Sequence, residues 1–161
     1  LHSTSRRQRQ MCIRDRDTSG ELLKEGIKAK PTVVKPNQDE IELLYGVKIH
    51  TIEDVIKYAR KIYEQGIPYV VISLGGEGAL MVCEEGVFQG KPPKLEVVNT
   101  VGCGDSMVGG LAVALERNYT SQEALKFAVA VASANALSPN TGDFKPEICE
   151  KILSEVTVKR L

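Results

Sequence analysis

Two rhythms of apolar residues alternate along this chain. From Asp17 onward, apolar positions recur every three to four residues in some stretches and run without a break in others, the pattern of helices laid against buried strands. The spacing predicts a helix end over Glu21 to Lys28, a short strand over Thr32 to Lys35, and helices over Asp39 to Tyr45 and Ile52 to Gln65. Thr51, followed by Asp54 three residues later, marks the start of the last of these, because each side chain can accept the other residue's backbone N–H. Tyr69-Val-Val-Ile-Ser-Leu74 is an unbroken apolar run, as in a strand covered on both faces, and it ends in Gly75-Gly-Glu-Gly78. Ala79 to Cys83 and Val87 to Gln89, parted by Glu84-Glu-Gly86, read as a hairpin. Pro92-Pro93 then breaks the pattern, and a further strand is expected through Val98. Helices follow at about Asp105 to Glu116, Ser121 to Leu137 and Lys145 to Ser154. The order implies an α/β domain with a mostly parallel sheet and a closing helical run. The helix from Ser121 is apolar nearly all round and rich in alanine, so it should be buried, and Asn135 within it then needs hydrogen-bond partners.

Leu1 to Arg16 do not fit this pattern. They are rich in Arg, Ser and Gln, lack an apolar period and read as a tail. Met11-Cys-Ile-Arg-Asp-Arg16 resembles translated adaptor sequence, which makes the stretch foreign to the domain of residues 17–161; a basic interaction arm is the alternative.

Composition narrows the function classes. The 161 residues are 42% hydrophobic and 26% charged, ordinary values for a globular domain with one core. Lys plus Arg and Asp plus Glu both number 21, there is no Trp and aromatics make up 5%, so neither a basic field nor stacking platforms favour nucleic acid. No apolar run approaches the roughly 20 residues of a membrane span, and no signal peptide is visible, so a cytoplasmic protein is expected. Cys12, Cys83, Cys103 and Cys149 are widely spaced, and His2 and His50 are the only histidines. A zinc cluster, a disulfide scaffold and a histidine-based triad all lack their residues. Carboxylates, backbone amides and a phosphate-bound magnesium ion remain.

The candidate chemistry centres on Asn99-Thr-Val-Gly-Cys-Gly-Asp-Ser-Met-Val-Gly-Gly110. Gly102 and Gly104 flank one residue at an apparent helix start, where glycine lets a ligand approach the main chain and free N–H groups attract an anion. Asp105 follows at once. A carboxylate would repel a phosphate but can take a proton from an attacking hydroxyl, so the chemistry suggested is phosphoryl transfer to an alcohol. The P-loop and dinucleotide fingerprints both fail here, because Asp105 stands where the first needs Lys and Met107 where the second needs glycine. A tight strand-to-helix connection with Asp105 as a helix-starting residue is the plain alternative. Two more motifs follow apparent strands, where ligands collect at the edge of an open α/β sheet. In Lys35-Pro-Asn-Gln-Asp-Glu40, Asn37 and Glu40 share a face and could orient water around a phosphate-bound magnesium, although such pairs also cap helices. In Ser73-Leu-Gly-Gly-Glu-Gly-Ala79, the glycines could offer amides to a nucleotide or could simply open the hairpin.

Together these residues resemble the PfkB, or ribokinase-like, family of carbohydrate kinases. Gly102-Cys-Gly-Asp105 matches the family's C-terminal signature, Asn37-x-x-Glu40 its Asn-x-x-Glu motif, and Ser73 to Ala79 its phosphate loop, in the family's order over Asp17 to Leu161. The resemblance implies a three-layer α/β/α fold, with Asp105 as catalytic base and the amides around Gly102, Cys103 and Gly104 as anion hole. It further implies Glu40 and Asn37 acting on Mg2+ through water, and Lys35, Asn37, Ser73, Gly75, Gly78 and Asn135 on the ATP side. Asp17-Thr-Ser-Gly20, Lys35-Pro-Asn37 and Thr100-Val-Gly102 with Asp105-Ser-Met-Val-Gly-Gly110 look nearer to the members that phosphorylate sugar phosphates, fructose 1-phosphate foremost and tagatose 6-phosphate next. A ribose-like sugar or nucleoside acceptor, or a nucleotide-binding module without catalysis, is the alternative. Cys103 departs from the family's usual alanine, either as a reactive thiol or as a small residue in a small space. Members are nearly twice this long, so the chain is expected to be the ATP-side, C-terminal part of a kinase, inactive by itself. The complete protein is then expected to be a homodimer.

Overall fold

The computed structural model describes residues 20–161, and the expected tail of residues 1–16 lies outside them. The chain forms α1 (Gly20–Lys28), β1 (Val33–Val34), α2 (Gln38–Tyr45), α3 (Ile52–Tyr63), β2 (Tyr69–Ser73), a 3-10 turn (Gly75–Glu77), β3 (Ala79–Cys83), β4 (Gly86–Lys91), α4 (Cys103–Glu116), α5 (Ser121–Ala136), α6 (Pro146–Glu155) and β5 (Thr157–Arg160). The strands follow one another as β1-β2-β3-β4-β5 in a sheet of five. By contacts the chain divides into two compact units, one reaching to Ser73 and including Leu80–Val87, the other comprising Leu74–Ala79 and Phe88–Leu161.

In the first unit, α3 shows why its residues form a helix. Val55, Ala59 and Ile62 recur on one face and are buried, while Glu53, Lys57, Arg60 and Lys61 are exposed. Thr51 and Asp54 close the start reciprocally, as their spacing predicts. β1 runs parallel to β2, with Val33 opposite Tyr69 and Val34 opposite Val70, and both strands are buried at their centres. Val70, Val71 and Ile72 are wholly buried, each contributing about 1.5–3 kcal/mol of transfer free energy.

The second unit is built around α5. Ala124, Leu125, Ala128, Val129, Ala130, Ala132, Ala134 and Ala136 are all buried, so the all-round apolar pattern meets the environment it calls for. Small residues set how closely its neighbours lie. A Cβ on Gly110 of α4 would come 3.0 Å from Ala128 Cα, and one on Gly90 of β4 would come 3.1 Å from Leu125 Cγ. β4 pairs antiparallel with β5, from Phe88 opposite Arg160 to Lys91 opposite Thr157. That last strand is absent from the sequence expectation, which ends the chain in helix; half-buried Val158, between exposed Thr157 and Lys159, is too little apolar signal to stand out.

The strand expected through Val98 does not form. Pro92 and Pro93 cannot donate to a ladder, and Val97 and Val98 stay 55% and 62% exposed. Instead the Val98 and Asn99 N–H groups both donate to the Ala136 carbonyl at the end of α5, at 2.8 and 3.1 Å. Among the described residues no helix is long and apolar enough to cross a membrane.

Candidate functional site

In the first unit the parallel pairing of β1 and β2 continues past the strand ends. Ser73 N–H donates to the Pro36 carbonyl at 3.2 Å, and Asn37 forms a parallel bridge with Ser73, which places Lys35, Asn37 and Ser73 at the same carboxyl-end edge. Asn37 is the N-cap of α2. Its Oδ1 accepts the Glu40 N–H at 2.8 Å, and Glu40 Oε2 accepts the Asn37 N–H at 2.8 Å. The local pattern therefore makes a complete capping box. These bonds fix the orientation of both side chains at the start of a helix whose first turn also holds Asp39. A carboxylate and an amide held this way suit a magnesium ion that arrives on phosphates and keeps its waters, not a cage of direct protein ligands.

The glycine turn after β2 is in the second unit. Glu77 N–H donates to Leu74 O at 3.2 Å, Gly78 N–H to Gly75 O at 3.0 Å, and Leu74 N–H to Gly78 O at 2.8 Å, which closes a compact loop. Gly75 takes φ +57° and is exposed, with nothing within 4 Å of where a Cβ would sit. Gly78 differs. At φ +87° a Cβ there would come 2.0 Å from the Gly90 carbonyl, so only glycine fits against β4. Lys91 pairs with Glu77 at 2.7 Å and holds that carboxyl below the ordinary glutamate range.

The turn into α4 is constrained in the same way. Gly102 is the N-cap with φ +76°, and a Cβ there would come 2.1 Å from Thr141 Cγ2. Cys103 N–H donates back to Thr100 O at 3.3 Å, and Ser106 N–H to Gly102 O at 2.9 Å. The N–H groups of Gly102, Gly104 and Asp105 have no acceptor among the described residues. Those amides and the positive end of a 14-residue helix make an anion-attracting surface. Asp105, third in the helix, is exposed, and its carboxylate makes no hydrogen bond or ion pair among the described residues. A carboxylate beside such a turn, with its oxygens unengaged, has the chemistry to accept a proton from a hydroxyl.

Asn135 stands behind this turn, not on its surface. It is 0% exposed; its Nδ2 donates to Val101 O at 2.9 Å and to Cys103 Sγ at 3.3 Å, and its Oδ1 accepts the Gly142 N–H at 2.6 Å. Cys103 is half-buried, with Sγ also directed to Asn99 O at 3.7 Å, so its sulfur fills space within the turn. Sequence reasoning missed the loop after α5. Thr141 Oγ1 donates to Val101 O at 3.3 Å, Ser138 Oγ donates to Asp143 O, and Gly142 takes φ +76°. The string Ser138-Pro-Asn-Thr-Gly142 after an alanine-rich helix is the signal that could have revealed it. Lys35, Asn37, Glu40 and Ser73 thus belong to the first unit, and Gly75, Gly78, Gly102 to Asp105 and Asn135 to the second.

Residues 2–148 match the family described as pfkB family carbohydrate kinase, and the match begins inside the stretch expected to be a tail. The 1-phosphofructokinase of Escherichia coli (strain K12) is 48% identical over 126 residues, which is 78% of this chain and 40% of that protein. The crystal structure of phosphofructokinase-2 from Escherichia coli in complex with potassium superposes with a TM-score of 0.79 at 37% identity, covering 84% of this chain and 45% of that one. Arabidopsis thaliana ribokinase complexed with ribose and ATP gives a TM-score of 0.69 at 26% identity, covering 83% and 43%. The chain thus spans less than half the length of each.

Proposed function

This chain belongs to the pfkB family of carbohydrate kinases, and on that premise we propose that it supplies the nucleotide side and the catalytic base of an ATP-dependent kinase acting on a sugar phosphate. The carrying observation is Asp105, exposed and unengaged on the first turn of α4, beside the N–H groups of Gly102, Gly104 and its own residue. In the proposed reaction the acceptor hydroxyl gives its proton to Asp105 and its oxygen attacks the γ-phosphorus of ATP. The bond to the β,γ-bridging oxygen breaks, and ADP leaves with that electron pair. The free amides of the turn lie where charge on the transferred group develops, and such donors contribute about 3–4 kcal/mol each where they have been removed one at a time. Asn37 and Glu40 would orient the waters of a magnesium ion carried on ATP, which would supply neutralisation of phosphate charge. Lys35, Ser73, Gly75 and Gly78 face the nucleotide.

The acceptor proposed is fructose 1-phosphate, phosphorylated on its 6-hydroxyl, because the relative just described is a 1-phosphofructokinase at 48% identity. Tagatose 6-phosphate is the second reading, and a homodimer is the proposed assembly of the complete protein. The test expresses the complete coding sequence and compares kcat/KM for fructose 1-phosphate, tagatose 6-phosphate, fructose 6-phosphate and fructose with MgATP. Preference for fructose 1-phosphate is expected. Preference for an unphosphorylated sugar would overturn the acceptor and leave the kinase, and no turnover with any of the four would overturn both.

A further inference from the structure

Asn135 sits in α5 between Ala134 and Ala136, wholly buried, where an unpaired amide would cost a few kcal/mol. Its orientation is unambiguous. Gly142 N–H can only donate and Val101 O can only accept, so Oδ1 must face the first and Nδ2 the second. The second Nδ2 hydrogen points to Cys103 Sγ, so one side chain ties together the residues on both sides of Gly102 and the loop that follows α5. Thr141, next to Gly142, adds a bond to the same Val101 carbonyl and walls off the space where a Gly102 Cβ would be.

We propose that Asn135 is the positioning residue of the turn: it does not touch the nucleotide, and it holds Val101 to Cys103 so that the free amides and Asp105 of α4 keep their aim. This rests on the kinase reading above. Aspartate would keep the bond from Gly142 but could donate neither to Val101 O nor to Cys103 Sγ, and it would set a negative charge against a carbonyl. Alanine would lose all three bonds.

Two kinds of measurement separate positioning from nucleotide contact. In the complete protein, Asn135→Asp and Asn135→Ala should lower kcat by about 10- to 100-fold, the range for a misplaced catalytic group, with KM for ATP within about threefold. A tenfold rise in that KM with kcat unchanged would mean that Asn135 contacts the nucleotide, and would overturn the proposal. Independently of turnover, both variants should speed iodoacetamide labelling of Cys103, read peptide by peptide by mass spectrometry, and amide exchange at Gly142, each by about tenfold, as local opening of the turn requires. Unchanged rates in both would also overturn it. Should both variants fail to fold, Thr141→Val keeps the packing wall and removes only the hydroxyl's bond to Val101. It is expected to lower kcat about threefold at constant KM, as a lost neutral hydrogen bond would, and no change in kcat would count against the proposal. If the parent protein turns over no sugar, the kinase reading fails, while labelling and exchange still decide whether Asn135 holds the turn.

Discussion

Four helices carry an acidic residue at the third position of their first turn, and one of them uses it differently. In α2, α3 and α5 the carboxylates of Glu40, Asp54 and Glu123 turn back to accept the N–H of Asn37, Thr51 and Thr120, whose side chains in turn accept the third residue's N–H. In α4 the residue at that position is Asp105, and Gly102 is the cap. Glycine has no side chain to accept the Asp105 N–H, and at φ +76° it directs the chain into the helix from a different angle. So the same residue type at the same position closes three helix starts and leaves the fourth with its amides and its carboxylate unengaged. A local device for stability, with half of it absent, leaves free amides that attract an anion and a carboxylate free to accept a proton.

The sharpest way to break this contrast is to give the fourth start a side chain. Gly102→Ala should cost about 3 kcal/mol, from the positive φ together with the clash on Thr141, measured by urea unfolding. A loss below 1 kcal/mol would show that the turn can rearrange. Asp105→Asn should leave stability within about 0.5 kcal/mol, because nothing in the described fold leans on that carboxylate. In the complete enzyme it should lower kcat by at least about 100-fold, or about 2.7 kcal/mol of barrier. The pairing of those two results is what distinguishes a base from a cap. Thr120→Ala should show the converse, with about 1 kcal/mol of stability lost from α5 and no change in turnover per folded molecule.

The smallest effect expected is on acid stability. The Thr120 backbone N–H, and then its hydroxyl, hold the Glu123 carboxyl below the ordinary value of 4.5, so this group's contribution is complete above that pH and is lost as pH falls through the depressed value. Melting temperatures of Glu123→Gln should therefore decline less steeply than those of the parent below pH 4.5. An identical slope would mean that the capping bond is not formed in solution.

Much of this was legible along the chain because it depends on neighbours in sequence. Thr51 with Asp54, and Asn37 with Glu40, sit three residues apart, and three residues is one helical turn, so the caps could be read from spacing alone. The buried run of β2 and the alanine-rich α5 were legible for the same reason, since periodicity records how many faces of an element meet the core. The missing strand before Val98 and the unanticipated β5 show the limit. Apolar valines in a row satisfy a strand pattern, but a ladder needs donors and a free edge, and Thr157 to Arg160 took the position beside β4 with hardly any apolar signal.

By itself, then, the amino-acid sequence determined the helix starts, the glycine turns, the carboxylate at Asp105 and the family they belong to, because each is a short-range pattern of residue types with its own local geometry. The tertiary structure alone decided which glycines have no alternative and where Asn135 acts. Gly102 is required by Thr141, 39 residues away along the chain, and Gly78 by the carbonyl of Gly90. Asn135 binds Val101 before α4, Cys103 at the first position of α4 and Gly142 after α5, and no spacing rule links them. Burial is the physical reason. An amide enclosed by alanines must find its partners wherever packing brings them, and packing is a property of the folded chain as a whole.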